Sequence, residues 1–183
     1  NISDLQSPQG ILAVINIVDW RFEDILCGKN DLWIVMDRIQ DPGNMGAIIR
    51  TAEAIGAKGI VLTKGCVDPY NNKTVRATMG ALFHIPILQA TNNDYWINYF
   101  NSNAIKIIAC DLDTEKTYLD IDYSGRIAII IGNEGNGIDR QLLDHADHTV
   151  KLPIIGRIES LNASVAAGIM MYKAAEINGF KGS

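Results

Sequence analysis

The chain has 183 residues, of which 48% are hydrophobic and 20% charged, and a net charge of −5. These values fit one globular domain that buries roughly 70% of its unfolded surface, and they exclude disordered, collagen-like, coiled-coil and membrane-spanning classes. Three isolated cysteines without a CxxC pair argue against a disulfide scaffold and for a reducing compartment. We therefore expect a cytoplasmic protein.

Net charge argues against a phosphate-rich partner, but the charge is unevenly distributed. Residues 37–80 carry six basic and four acidic side chains, and residues 152–183 carry three and two. These two segments also contain two of the three motifs described below. An excess of this size is usually only an ordinary solvated face, so the charge does not by itself indicate a nucleic-acid partner.

The first thirty residues predict a linker and a short helix that lead into the domain. Residues 3–10 are polar and contain Pro8 and Gly10, a composition typical of a linker. Asp19 is placed to cap a short helix that runs through Leu26 and ends at Gly28. The domain itself is expected over residues 31–183.

From residue 31 onward, apolar runs alternate with segments of helical spacing. Strands are predicted at 32–36, 59–63, 83–88, 104–112, 126–132 and 148–153, and helices at 44–56, 72–79, 92–100 and 160–177. Pro86 favours an edge position for the third strand, since proline cannot donate to a central ladder. Strands that alternate with helices predict an α/β fold with a mostly parallel sheet flanked by helices.

Three loops follow predicted strands, at 37–46, 132–137 and 152–162, and ligands of parallel sheets bind at such loops. In the first loop, Pro42-Gly43 predicts a turn and Asn44 is a plausible N-cap of the next helix. Arg50 lies among apolar residues of that helix, so its guanidinium must reach an anion or the solvent. The spacing leaves open whether that anion is a phosphate or a carboxylate of the same domain.

The second loop contains three glycines within six residues, Gly132, Gly135 and Gly137, directly after an apolar strand. Glycine permits unusual backbone angles and close approach of the backbone to a ligand. The spacing matches neither the dinucleotide fingerprint GxGxxG nor a P-loop, which needs a Lys-Ser/Thr pair. A tight turn with an exposed Glu134 is the structural alternative.

The third loop leads into the longest predicted helix, which either Ser160 or Asn162 can cap. This helix carries small or flexible residues at steps of three and four, which let another helix approach closely. They are Ala163, Ala167, Met170 and Ala174. The stripe predicts either core packing or a subunit interface.

Taken in order, the three loops resemble the three motifs of the SpoU family of RNA ribose 2′-O-methyltransferases, in the SPOUT superfamily. The matching residues are Asn44, Gly46, Ala47, Arg50, Gly132, Glu134, Gly135, Gly137, Leu152, Pro153, Gly156, Ser160, Leu161, Asn162, Ser164, Val165 and Ala166. The resemblance covers residues 31–178. Residues 7–14 also resemble the linker that follows a small RNA-binding domain in many members, so we expect such a domain upstream of this chain.

The resemblance implies an α/β fold with a C-terminal trefoil knot, S-adenosylmethionine as cofactor, and a homodimer whose subunits jointly form the active site. The implied cofactor-binding residues are Gly132, Gly135, Leu152, Leu161 and Asn162, with the strand end at 109–112 nearby. The implied polar active-site residues are Asn44, Arg50, Glu134, Ser160 and Asn162. The small-residue stripe of the last helix is then the candidate seam between subunits.

The implied reaction moves a methyl group from a sulfonium to a ribose 2′-oxygen. It depends on alignment and on a more nucleophilic hydroxyl, so no metal and no membrane partner are expected. Mechanisms proposed for the family make the arginine the base, yet a guanidinium stays protonated in proteins. We therefore assign Arg50 to the neighbouring phosphate and to the developing alkoxide.

Ribosomal RNA is favoured over transfer RNA as the substrate, because the apparent loss of an N-terminal domain matches ribosomal members better. A transfer-RNA methyltransferase and a knotted RNA-binding protein without turnover are the alternatives. A nucleotide-binding α/β domain is a third possibility, against which the missing P-loop pair argues.

Overall fold

A computed structural model of the protein describes residues 13–179 and contains one six-stranded sheet. The strands are β1 (Leu32–Met36), β2 (Gly59–Leu62), β3 (Ile87–Gln89), β4 (Lys106–Cys110), β5 (Ile127–Ile131) and β6 (His148–Val150). The helices are α1 (Pro42–Ala54), α2 (Asn72–Ala77), α3 (Asn93–Ser102), α4 (Arg140–Asp144) and α5 (Ala163–Asn178). Every pairing between these strands is parallel, in the order β3-β2-β1-β5-β4-β6. The predicted α/β fold class is confirmed, and the trefoil knot stays a prediction.

The two faces of the sheet bury different side chains because successive strand residues point in opposite directions. On β1, Ile34 and Met36 face a core shared with α1 and α5, whereas Trp33 and Val35 face a core shared with α3 and α4. Burial on both faces explains why the central strands read as continuous apolar runs.

The strand order reverses next to β1. The chain proceeds from β1 outward to β3 on one side, whereas β5, β4 and β6 lie on the other side. The loops that follow β1 and β5 consequently leave the same edge of the sheet at its switch point, where parallel α/β sheets bind ligands. These are the first and second loops singled out in the sequence.

Two helix ends near this edge are fixed by side-chain caps. Helix α1 begins at Pro42, and Asp41 caps it by accepting from the Asn44 N–H at 2.7 Å. The prediction that Asn44 is the N-cap is therefore wrong, because proline at the first helical position lets the helix begin two residues earlier. Helix α5 is capped by Asn162, one of the two predicted candidates.

Three other predictions need correction. The helix expected between Asp19 and Leu26 is only a 3-10 turn at Phe22–Asp24, which begins where the Arg21 N–H donates to Asp24. The strand expected at 83–88 is split into a 3-10 turn at Ala81–Phe83 and β3, which does lie at the sheet edge. Helix α4 was not predicted, because it has five residues and buries one side chain, too few for a periodic pattern. The linker expected at 3–10 lies outside the described residues.

The small-residue stripe of α5 belongs to the core of the chain itself. Ala167 and Met170 are fully buried in the cluster that α5 shares with α1, so the prediction that the stripe forms a subunit seam is wrong. The exposed face of α5 instead carries Val165 and Ile169, which are 50% and 37% exposed. Small side chains on a helix indicate close packing, but the spacing alone does not say which neighbour packs there.

Within residues 13–179, no helix is long and apolar enough to cross a membrane. The same part of the chain contains no group of three or more His, Cys, Asp or Glu side chains placed to hold a metal ion.

Candidate active site

A chain of side-chain hydrogen bonds joins the three loops. The Asn162 amide donates to Asn44 Oδ1 at 2.9 Å, and the Asn44 amide donates in turn to Glu134 Oε1 at 2.9 Å. The structure thus brings together three of the five predicted polar residues, although they lie 90 and 118 positions apart in sequence. We call these three side chains the polar relay.

Each member of the polar relay is held by backbone groups. The backbone N–H groups of Gln40 and Asp41 lie 3.4 Å from the Glu134 carboxylate oxygens. Asn162 Oδ1, the acceptor that caps α5, also accepts from the Ser164 hydroxyl at 2.6 Å. The relay therefore ties the start of α1 and the start of α5 to the glycine-rich loop.

The same hydrogen bonds determine the charge of Glu134, the ionisable member of the polar relay. Partial burial raises the pKa of Glu134, but the hydrogen bonds from Asn44 and from nearby backbone N–H groups outweigh that effect and place the pKa below the usual glutamate range. Glu134 is therefore a carboxylate at neutral pH. As an acceptor-only group it fixes which way the Asn44 amide is turned, and the second Nδ2–H of Asn44 has no acceptor among the described residues.

Asn133 shapes the glycine-rich loop and was missed by the sequence reasoning. Its Oδ1 accepts from the backbone N–H groups of Gly135 and Asn136, both at 2.9 Å, and its Nδ2 donates to the Arg38 carbonyl at 2.8 Å. These contacts hold Glu134 between two fixed ends of the loop. An asparagine two residues before a glycine is a known turn signal, so the pattern was available in the sequence.

A buried acidic side chain that follows β1 also holds the glycine-rich loop in place. Asp37 is buried and accepts from Arg38 Nη2 at 2.9 Å, from the Thr63 hydroxyl at 2.9 Å and from the Asp139 N–H at 2.8 Å. Arg38 Nη2 also lies 3.3 Å from the Gly137 carbonyl oxygen. Because Thr63 and Asp139 follow other strands, sequence spacing gave no sign of this arrangement.

A cleft of 630 Å³ lies beside the polar relay, within the range typical of small-molecule sites. It is lined by all five predicted cofactor-binding residues, by Glu134 and Ser160, and by the end of β4 at Cys110–Asp113. Burial and the neighbouring Asp111 raise the pKa of Cys110 to about 11. Its thiol is therefore protonated near neutral pH and is not a nucleophile there.

Gly132 and Gly135 differ in what their missing side chains permit. A Cβ at Gly132 would lie 2.4 Å from the Gly137 carbonyl carbon and 2.5 Å from the Ile138 nitrogen. A Cβ at Gly135 would meet nothing nearer than 3.7 Å. The absence of a side chain at Gly132 therefore allows the two ends of this loop to approach each other closely. This requirement for glycine comes from packing within the protein and does not depend on a bound ligand.

Arg50 and Ser160 lie outside the polar relay. Asn44 and Arg50 lie six positions apart on α1, which turns their side chains roughly 120° apart around the helix. Arg50 is exposed, and its guanidinium makes no hydrogen bond or ion pair with the described residues. Ser160 lines the cleft next to Leu161. The structure thus provides no carboxylate partner for Arg50 from its own described chain.

A parallel α/β sheet with a polar relay and a nucleoside-sized cleft at its switch point defines a domain of the cofactor-binding class. A model of the SpoU rRNA methylase family matches residues 31–172 of this sequence. The chain belongs to the SpoU rRNA methylase family, which confirms the resemblance carried by the three loops.

Known proteins with similar sequences and structures include RNA methyltransferases. The chain is 36% identical over 171 residues to the 23S rRNA (guanosine(2553)-2′-O)-methyltransferase RlmP of Bacillus subtilis, covering 93% of this chain and 66% of that protein. It also resembles the AdoMet-bound rRNA methyltransferase of Sinorhizobium meliloti, with a TM-score of 0.82, 38% identity and coverage of 87% and 61%. The SpoU methyltransferase AviRb of Streptomyces viridochromogenes, in complex with AdoMet, gives a TM-score of 0.82, 28% identity and coverage of 87% and 65%. The chain thus spans slightly less than two thirds of the length of each of these relatives.

Proposed function

We propose that this protein transfers a methyl group from S-adenosylmethionine to a ribose 2′-hydroxyl of RNA, with ribosomal RNA as the favoured substrate. The observation that carries the proposal is the polar relay at the mouth of the cleft, which joins all three family motifs through Asn44, Glu134 and Asn162. Membership of the SpoU rRNA methylase family supports the same activity.

The cleft fits S-adenosylmethionine in its size and in the chemistry of its lining. Leu152 and Leu161 offer apolar surface for an adenine ring, and the carboxylates of Asp111 and Asp113 suit ribose hydroxyls and a cationic amino acid. Gly132 and Gly135 bring backbone groups to the wall of the cleft. When bound there, S-adenosylmethionine would supply an electrophilic methyl group.

The residues of the polar relay prepare the hydroxyl that receives the methyl group. Glu134 is charged at neutral pH and keeps lone pairs beyond the one used by Asn44. A 2′-hydroxyl that donates its hydrogen bond to this site is held in one orientation and becomes more nucleophilic. Asn162 holds Asn44 from the other side, and Ser160 adds a hydroxyl at the wall of the cleft.

Arg50 is assigned to the phosphate next to the reacting ribose, and we place it at the cleft of a second copy of the chain. This assignment is supported by its exposure and by the lack of a carboxylate partner among the described residues. A guanidinium matches the two oxygens of a phosphate and favours the negative charge that develops on the nearby 2′-oxygen.

The proposed homodimer uses the exposed apolar face of α5. Val165 and Ile169 lie on one side of this helix, one turn apart, and both expose a large part of their surface. Such a contiguous apolar face is typical of an interface between protein chains. Because α5 packs beside α1, this contact brings the α1 of each copy near the other copy.

Sedimentation at micromolar concentration is expected to give a mass near twice 20.1 kDa for this chain. Ile169→Asp should shift the protein to a monomer, because a carboxylate would be desolvated at the proposed interface. Leu26→Asp is the matched control. Leu26 is exposed and follows Ile25, which packs in the core on the opposite face of the sheet, so its replacement should leave the dimer intact. An active monomeric wild type would contradict the proposed assembly.

Ribosomal RNA is proposed as the substrate because two of the three relatives named above, those from Bacillus subtilis and Sinorhizobium meliloti, are named as rRNA methyltransferases. The alternatives are transfer RNA and an RNA-binding role without turnover. An RNA-binding role without turnover would not explain why Asn44, Glu134 and Asn162 are all present and joined by hydrogen bonds. We place the activity in the cytoplasm, where the three cysteines, all free thiols in the structure, would stay reduced.

Two measurements on the full-length protein test the proposal. Calorimetric titration with S-adenosylmethionine is expected to show binding, and incubation with methyl-labelled S-adenosylmethionine and total cellular RNA is expected to label the RNA. Binding without labelling would support the inactive RNA-binding alternative. Absence of binding would contradict the proposal and favour the plain nucleotide-binding domain.

A further inference from the structure

A second, smaller cleft opens at the same edge of the sheet, beyond the carboxyl ends of β2 and β3. Its volume is 360 Å³, and its wall is formed by residues 62–67 after β2 and 89–91 after β3. The methyl transfer proposed above uses none of these residues. Gln89 and Thr91 are exposed there, and their side chains make no hydrogen bond with the described residues, so both can bind a ligand.

The two clefts differ in charge. Four carboxylates line the larger cleft, those of Asp111, Asp113, Glu134 and Glu159. The smaller cleft has no acidic residue in its lining and one cation, Lys64, which is exposed and forms no ion pair with the described residues. A cationic cofactor suits the first environment, whereas an anionic ligand suits the second.

One side chain, that of Arg38, lies next to residues that line each of the two clefts. Gly65 belongs to the wall of the smaller cleft, and a Cβ there would lie 3.2 Å from Arg38 Cγ. The guanidinium of Arg38 reaches the carbonyl oxygen of Gly137, which lines the larger cleft. Because both clefts also open at the carboxyl ends of the strands, one RNA strand that follows this edge of the sheet can contact both.

We propose that the smaller cleft binds a nucleotide of the RNA strand close to the methylated ribose. Lys64 contacts its phosphate, while Gln89 and Thr91 bind its base or sugar through hydrogen bonds. Side-chain amides and hydroxyls can pair with base edges, and single-stranded RNA exposes those edges. This inference rests on the proposed function and adds to it a position at which the RNA sequence can be recognised.

The test compares two charge reversals on the same strand. Lys64→Glu alters the carboxyl end of β2 in the smaller cleft, and Lys58→Glu alters the residue just before the amino end of β2, at the opposite edge of the sheet. Each variant of the full-length protein is assayed for methylation of total RNA over a range of salt concentrations. Binding of S-adenosylmethionine is measured separately by calorimetry.

We expect Lys64→Glu to raise the KM for RNA about tenfold, as for a lost phosphate contact, and to reduce the salt dependence of log KM by about 0.7. The kcat and the affinity for S-adenosylmethionine should stay unchanged, and Lys58→Glu should resemble the wild type. Equal KM values and equal salt dependence for the two variants would overturn the inference.

A fluorescent single-stranded RNA dodecamer of mixed sequence provides a readout that does not need turnover. Its affinity, measured by anisotropy, should fall for Lys64→Glu relative to Lys58→Glu. If the wild type failed to methylate RNA, the proposed function would be contradicted, whereas the dodecamer would still decide whether the smaller cleft binds RNA. A partner protein as the occupant would leave dodecamer binding equal in both variants and would overturn the inference.

Discussion

Arg50→Lys is expected to lower single-turnover methylation about 10²-fold, the scale of losing one preorganised electrostatic contact. Lysine keeps the positive charge but loses the two-pronged geometry of the guanidinium, and Arg50→Ala should be slower still. Affinity for S-adenosylmethionine should not change, because Arg50 is assigned to the phosphate of the RNA and not to the cofactor. Arg140→Lys, at an exposed arginine of α4, is the matched control and should keep the wild-type rate.

The pH profile of Arg50→Lys separates two mechanisms. If Arg50 holds phosphate and stabilises the alkoxide, the rate deficit should be the same at every pH up to about 10. If Arg50 were the proton acceptor, a lysine could take over as base once it loses its own proton, and the rate would recover steeply as the pH rises. A rate equal to that of the wild type would contradict both roles.

Gly132→Ala is expected to abolish most binding of S-adenosylmethionine and to lower the free energy of unfolding by about 1–3 kcal/mol, the usual cost of overpacking. The new methyl group would have to displace the backbone at Gly137 and Ile138, which moves the wall of the cleft. Calorimetry and thermal unfolding measure the two effects.

Gly135→Ala is the control for the folding effect of Gly132→Ala. A Cβ at position 135 would be in ordinary contact with its nearest neighbour, so the free energy of unfolding should change by less than about 0.5 kcal/mol. Equal destabilisation by the two substitutions would contradict the claim that loop closure specifically requires glycine at position 132.

Much of the fold could be predicted from the sequence because its signals are local. The apolar runs of the central strands and the helical spacing of α1 and α5 each need only neighbouring residues. The start of α1 was misplaced because Pro42-Gly43 was interpreted as a turn, whereas proline also fits the first position of a helix. The small-residue stripe of α5 indicated close packing, yet only the structure shows that α1 is the neighbour.

The loops of the candidate site could be predicted because their signals are also local, whereas the contacts between them could not. The loops that carry Asn44, Glu134 and Asn162 follow strands and were found from that rule, and the resemblance to a family selected the residues. The bonds between them depend on positions far apart in sequence. Asn133 was missed although its contact with the Gly135 N–H is a local turn signal. Arg38 was missed because its guanidinium contacts the Gly137 carbonyl oxygen of another loop, which no spacing pattern encodes.

The central claim is that the 2′-oxygen of a ribose receives the methyl group, and alkaline hydrolysis of labelled RNA tests it most directly. Cleavage by alkali needs a free 2′-hydroxyl, so a 2′-O-methylated position resists it and stays in a dinucleotide. Total RNA labelled by the full-length protein is predicted to retain its methyl label in alkali-resistant dinucleotides at defined positions. Label recovered only in single nucleotides, as expected for a methylated base, would contradict the account.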